Sequence, residues 1–197
     1  MVTDSQERWV QCVCDGLAAG ELDASQLTAR HLGNYLGRTT SVLYHHWGSL
    51  DGFLHAVAQA GFVKLSQVLR EALSSDGRLP QLAEAFVRFG LDHPVLYHVM
   101  FERSYDWDAL RALGALPQEM PGLSLWGGLV AFLAGAGSEE PSFDARILYA
   151  GLHGLVSLAN SGRANVGAQE TSDREMALAA ARKLAERLAP QHVSPRP

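Results

Sequence analysis

The sequence predicts an all-α fold of about nine helices, in which three short helices lead into a long fourth helix and then a larger helical body. Two observations carry this. Apolar residues recur at spacings of three and four, as in Trp9, Val10, Val13, Leu17 and again in Phe53, Leu54, Val57, Ala58, Phe62, Leu65, Leu69, and no run alternates as a half-buried strand would. Glycine and proline punctuate that period at Gly20, Gly37, Gly48, "SSDGRLP", His93-Pro94, "LPQEMPG", "GAGSEEP" and "SGRANVGAQETSD".

Taken in order, the first helix covers 4–19 and stops at Gly20. The second covers 28–35 and turns at Gly37, and the third covers 39–46, with Leu32, Leu36, Leu43 and Trp47 setting the angle between the pair. The fourth, 49–74, opens on Ser49 as N-cap with Asp51 in its first turn, while Gly52 denies it a full capping box. Helices at 79–92 and 94–102 are parted at His93, because a residue before proline avoids the helical region. Helices at 119–136, 142–162 and 173–188 complete the body. A structural division is expected near "SSDGRLP", residues 74–80, and by role the chain divides into a head (1–50), a body (51–190) and a flexible tail (191–197).

The net charge of -5 over 197 residues argues against a general basic coat for nucleic acid, so any such contact is local. Cys12 and Cys14 stand two apart on a helix, point apart and predict reduced, inert thiols. No export signal and no stretch of roughly 20 apolar residues is present, which predicts a cytoplasmic protein without a membrane partner. Serine elbows, phosphate loops and paired carboxylates are missing, so no enzyme is expected. Neither a metal nor a cofactor is expected: His45 and His46 are adjacent, and His93 and His98 lack a carboxylate or thiolate at ligand spacing.

The segment 27–47 carries the sharpest signal. "LTARHLGNYL", a glycine turn and "TTSVLYHHW" have the form of a helix-turn-helix. With Leu43 and Trp47 inward, Thr40 with Tyr44 and Ser41 with His45 form outward pairs that can bond phosphate oxygens or base edges. A plain helical hairpin has the same spacing. What separates the two is charge: between Asp23 and Asp51 lie 27 residues without Asp or Glu, a window holding Arg30, Arg38, His31, His45 and His46. Carboxylates are missing where phosphate would approach.

"LTARHLGNYLGRTTSVLYHHWGSLDGFLHAV" resembles the DNA-binding head of TetR-family (tetracycline-repressor-like) transcriptional regulators, and "FVRFGLDHPVLYHVMF" and "ILYAGLHGLVSLANSGR" resemble the ligand-binding bodies of one branch. The resemblance implies that Thr28 and Arg30 touch the DNA backbone and that Thr39, Thr40, Ser41 and His45 enter the major groove. It also implies that Tyr44 binds a phosphate; the carboxylate-free window adds Arg38 and His46 as further DNA-side groups. Two departures stand out: Leu50 where the family usually has lysine, and Gly33 where it usually has alanine. One lost phosphate contact flattens the salt slope by about one unit, and mild acid strengthens binding by charging His45 and His46.

In the body, Phe86, Phe89, His93, Tyr97, Met100, Phe101, Trp126 and His153 combine apolar bulk with a few orienting polar groups, which suits either a core or an apolar pocket. The resemblance implies a pocket for a small, largely apolar effector. Leu148, Leu152, Leu155, Leu184 and Leu188 lie on two apolar helices that form either an internal pair or half of an intersubunit four-helix bundle. The expected protein is a ligand-responsive repressor, homodimeric on a palindromic double-stranded DNA operator. The alternative is a ligand-binding dimer of the same fold with weak or lost DNA binding.

Overall fold

In the computed structural model, which describes residues 4–114, 120–167 and 171–188, the breaks foreseen at glycines are made by left-handed backbone, with φ of 74° at Gly20, 63° at Gly37 and 71° at Gly48. Helices α1 (Asp4–Ala19), α2 (Ala29–Tyr35), α3 (Thr40–Trp47) and α4 (Leu50–Asp76) follow the expected order. A 3-10 turn, Ala24–Gln26, intervenes after α1; Asp23 accepts from the Ser25 backbone amide and Gln26 reaches back, a capping box the helical period does not announce. Beyond α4 come α5 (Leu79–Asp92), α6 (Pro94–Tyr97), a π-helical turn (His98–Glu102), α7 (Trp107–Ala112), α8 (Pro121–Gly135), α9 (Pro141–Asn160) and α10 (Asp173–Leu188). Among the described residues there is no strand.

Two expectations need adjusting. The helix expected over 94–102 is α6 continued by the π turn, in which the backbone bonding pattern widens before Arg103 turns extended. Helix α7 was not foreseen; it is only six residues long, held by Asp106, whose carboxylate accepts from the Ala109 amide at 2.9 Å. Residue 119, the expected start of the next helix, lies outside the described residues, as does the tail 191–197.

Of the described residues, those within 1–64 and 92–122 form one compact unit and those within 65–91 and 123–197 another, so that α4 contributes its front to the first and its rear to the second. In the first unit Val13, Leu17, Leu32, Leu43, Phe53 and Leu96 are fully buried. Burying such side chains supplies roughly 1.5–3 kcal/mol each before entropy is counted. In the second, α9 packs on α10, where Ala177, Ala181 and Ala185 form a small buried stripe. Gly151 belongs to the same contact, since an added Cβ would collide with Leu184. No described helix is long and apolar enough to cross a membrane.

Candidate nucleic-acid interface and helical body

Helix α3 is anchored by Leu43, which is completely buried, and by Trp47, whose ring meets buried Phe53 edge-on at 4.7 Å. That anchoring turns the other faces outward. All nine predicted DNA-side residues, Thr28, Arg30, Arg38, Thr39, Thr40, Ser41, Tyr44, His45 and His46, are exposed, and Tyr44 is 50% accessible. They differ in how tightly they are held. The Thr28 hydroxyl caps α2 by accepting from the His31 amide at 3.3 Å, and the Thr39 and Ser41 hydroxyls bond each other at 2.8 Å. Thr40 and Tyr44 have no side-chain partner among the described residues.

Two of the nine lean on α1, which the sequence reading leaves out of the interface. The Arg38 guanidinium lies 5.2 Å over the Trp9 ring, and the His46 ring is 5.6 Å from Trp9 with Nδ1 2.8 Å from the Gln6 amide nitrogen. A Trp on the apolar period of α1 reads locally as core, so nothing short-range marks Trp9 as a partner of a residue 29 positions away.

Both glycines that depart from helical expectation have steric reasons. A Cβ on Gly33 would sit 3.0 Å from the Arg38 carbonyl oxygen, next to the bond the Arg38 amide donates to Gly33 at 2.8 Å. A Cβ on Gly52 would collide with the Trp47 carbonyl, and the Gly52 amide donates to Ser49 Oγ at 2.9 Å, the N-cap foreseen for α4. Both absences of side chain let α3 approach its neighbours.

The junction of α3 and α4 is strapped by the segment 103–113. Arg103 bridges Asp51 at 2.7 Å, Tyr105 and Trp107 meet His55 edge-on at 5.7 and 5.5 Å, and Leu113 lies against Gly48. His55 is buried; its Nε2 lies 3.0 Å from the Gln59 amide nitrogen, and desolvation holds its imidazole below the ordinary value. Burial likewise raises the Tyr105 phenol, whose hydroxyl donates to the Val99 carbonyl. Sequence reading placed Asp51 at the dipole of α4; its partner Arg103 is 52 positions away and has no local signal.

The eight effector candidates divide between the units. In the first, Tyr97 and Met100 are buried and Phe101 half-buried, with the Tyr97 and Phe101 rings 4.6 Å apart and Met100 against Gly61; His93 Nδ1 donates to the Ala18 carbonyl at 2.8 Å. In the second, Phe89 is buried, whereas Phe86, Trp126 and His153 gather around Tyr149 at 6.4, 6.4 and 5.9 Å, with Arg146 5.3 Å over Trp126. Tyr149, the hub of this ring cluster, was missed, and burial raises its phenol. An open depression of about 520 Å³ is lined by Gln67, Arg70, Glu71 and Ser74, none of them among the eight. No three His, Cys, Asp or Glu side chains gather at metal-ligand distance among the described residues.

Helix α9 uses its faces differently. Leu148 and Leu152 are buried with Ala145 and Val156 in the chain's own core, Leu155 is half-buried, and Leu184 and Leu188 on α10 are half-buried as well. Opposite the core, Phe143, Ile147 and Leu158 are 59%, 40% and 46% exposed along one stripe that also includes Ala150 and Gly154. Both cysteines are free; Cys12 is exposed and Cys14 buried, its thiol pushed up to about 11 by desolvation.

Residues 79–183, just over half of the chain, match the family described as tetracyclin repressor-like, C-terminal domain. No curated protein matches the chain. Among solved structures, one described as a regulatory protein is 18% identical, with a TM-score of 0.61 over 91% of this chain and 98% of its own. A TetR-like transcriptional regulator from Rhodococcus sp. RHA1 is 15% identical, with a TM-score of 0.57 over 97% and 100%. The superantigen PfiT is 17% identical, with a TM-score of 0.54 over 92% and 96%. At such identities these likenesses establish the fold.

Proposed function

The chain belongs to the tetracyclin repressor-like family of transcriptional regulators, and from that premise we propose that it is a homodimeric, effector-responsive repressor that binds a palindromic DNA operator. The observation that carries the DNA part is the outward face of α3. Nine candidate contact residues are exposed around a helix pinned by buried Leu43, within a 27-residue window free of carboxylates. Hydroxyls of Thr39, Thr40 and Ser41 and the ring of His45 read base edges, while Thr28, Arg30, Arg38, Tyr44 and His46 engage the backbone.

The dimer part rests on the exposed stripe of Phe143, Ile147 and Leu158, too apolar to leave in water along one helix. Binding of a palindrome by such a dimer requires two copies of α3 to reach successive major grooves, about 34–36 Å apart. Residues 1–50 act as the reading head and 51–190 as the body. A small, largely apolar effector binds the body, shifts α4, and so changes the spacing of the reading helices and the affinity for DNA.

The test is selection of binding duplexes from a random pool at low salt, followed by polarisation titration. Enrichment of a palindrome is expected, and failure to enrich any duplex would sink the DNA reading. Leu50 and the shared fold of a protein described as a superantigen favour a second reading, a ligand-binding dimer without DNA recognition. Leu50→Lys separates the two: tighter DNA binding by about one added phosphate contact supports the repressor, and no gain supports the rival.

A further inference from the structure

We propose that Trp9, on α1, is a positioning residue for DNA binding: its indole braces both ends of α3 and holds Arg38 ready for a phosphate. The proposal rests on the DNA-binding reading above and assigns a part in it to a helix outside the helix-turn-helix. Trp9 meets Arg38, two residues before α3, and also His46 and Trp47, its last two residues, at 5.2, 5.6 and 6.3 Å. The indole is itself located, because Trp47 is keyed to the fully buried Phe53.

With its Cζ held over the indole, the Arg38 guanidinium is placed by the ring without a hydrogen bond, so its N–H donors remain for a fork on a phosphate. The Arg38 side chain has no hydrogen bond or ion pair among the described residues, so those donors are uncommitted. An exposed arginine without a platform spreads over many rotamers and loses that freedom on binding; one held over a ring has lost much of it already. His46 is oriented in the same way. With the Gln6 amide nitrogen donating to Nδ1 at 2.8 Å, the neutral ring carries its proton on Nε2, which has no other described partner. The neighbouring carboxylate-free window leaves nothing between Asp23 and Asp51 to capture either group.

The experiment uses the full chain and a labelled mixed-sequence duplex of about 30 base pairs at low salt, since the backbone term dominates non-specific binding. Trp9→Ala is expected to weaken binding about two- to five-fold, the range an exposed cation–π pair is worth, and Trp9→Phe to restore most of it. Arg38→Ala should lower the salt slope by about one unit per engaged protomer. Combining it with Trp9→Ala should add at most about two-fold, the share of His46, whereas independent residues would multiply their losses in full. Full multiplication, or an unchanged affinity in Trp9→Ala beside a loss in Arg38→Ala, overturns the positioning role. Should Trp9→Ala unfold, Arg38→Lys decides: it keeps the charge but not the flat fork, so a loss matching Arg38→Ala supports the proposal and wild-type affinity overturns it. A wild-type chain that binds no duplex removes the DNA reading and this proposal together, whereas wild-type binding insensitive to Trp9 removes this proposal alone.

Discussion

At Gly52 the backbone of one helix stops the next from carrying any side chain. The Trp47 carbonyl occupies the place of a Cβ, so Gly52→Ala must push α3 away from α4 or break the Ser49 cap. A loss of about 2 kcal/mol in urea unfolding is expected, and unchanged stability would mean that the contact is slack. From the sequence, Gly33 and Gly52 look like weaknesses in their helices; only the approach of the Arg38 and Trp47 carbonyls reveals why they are glycine. His55 gives a second test at this scale. Its imidazole, enclosed by Tyr105, Trp107 and Gln59, is held below the ordinary value of about 6.5 by desolvation. Above that pH the folded and unfolded chains are both neutral there, so the folded state keeps its full stability. As pH falls below it the unfolded chain takes the proton first, and stability is lost. The urea midpoint should therefore fall between about pH 7 and pH 5.5, and His55→Gln should shrink the fall; an unchanged pH profile in that variant would exclude His55 as its source.

Helix boundaries were legible where a cap or a breaker is written into the chain: Thr28, Ser49, Gly37, Gly48 and His93-Pro94 all stand at observed ends or turns. Helix α7 was not, because six residues show less than two turns of period and its Asp106 cap resembles any acidic loop residue. The faces of α9 were half legible. Its apolar breadth predicted more than one packed seam, yet the leucines that the period selects, Leu148 and Leu152, fill the chain's own core, while Phe143, Ile147 and Leu158 remain outside. The dimer prediction belongs on that outer stripe. Ile147→Glu with Leu158→Glu should leave the fold intact, give a monomer by light scattering, and weaken operator binding more than ten-fold by removing the second half-site, roughly the avidity of a linked pair. A dimer that survives both charges would place the interface elsewhere. Between α5 and α10, burial raises the Glu84 carboxyl, but bonds from Arg182 and Arg88 more than reverse it and leave it lowered, tying the two helices together.

For the whole molecule, the proposed twofold arrangement would read DNA as a fixed spacing. Lengthening the centre of the selected palindrome by about five base pairs turns one half-site to the far side of the duplex. Binding should drop about 100-fold, toward that of one half-site. Equal affinity for both duplexes would indicate independent heads. The sequence by itself determined the all-α class, the order and most limits of the helices, the buried anchors Leu32 and Leu43, and the carboxylate-free window. These follow from local period, caps and composition, which act over a few residues. Tertiary structure decided the pairings: Trp9 with Arg38, Asp51 with Arg103, Phe86 and Trp126 with Tyr149, and which face of α9 is spent on its own core. Each joins groups that are adjacent only after helices pack, and side-chain period says that a face is apolar without saying what will cover it.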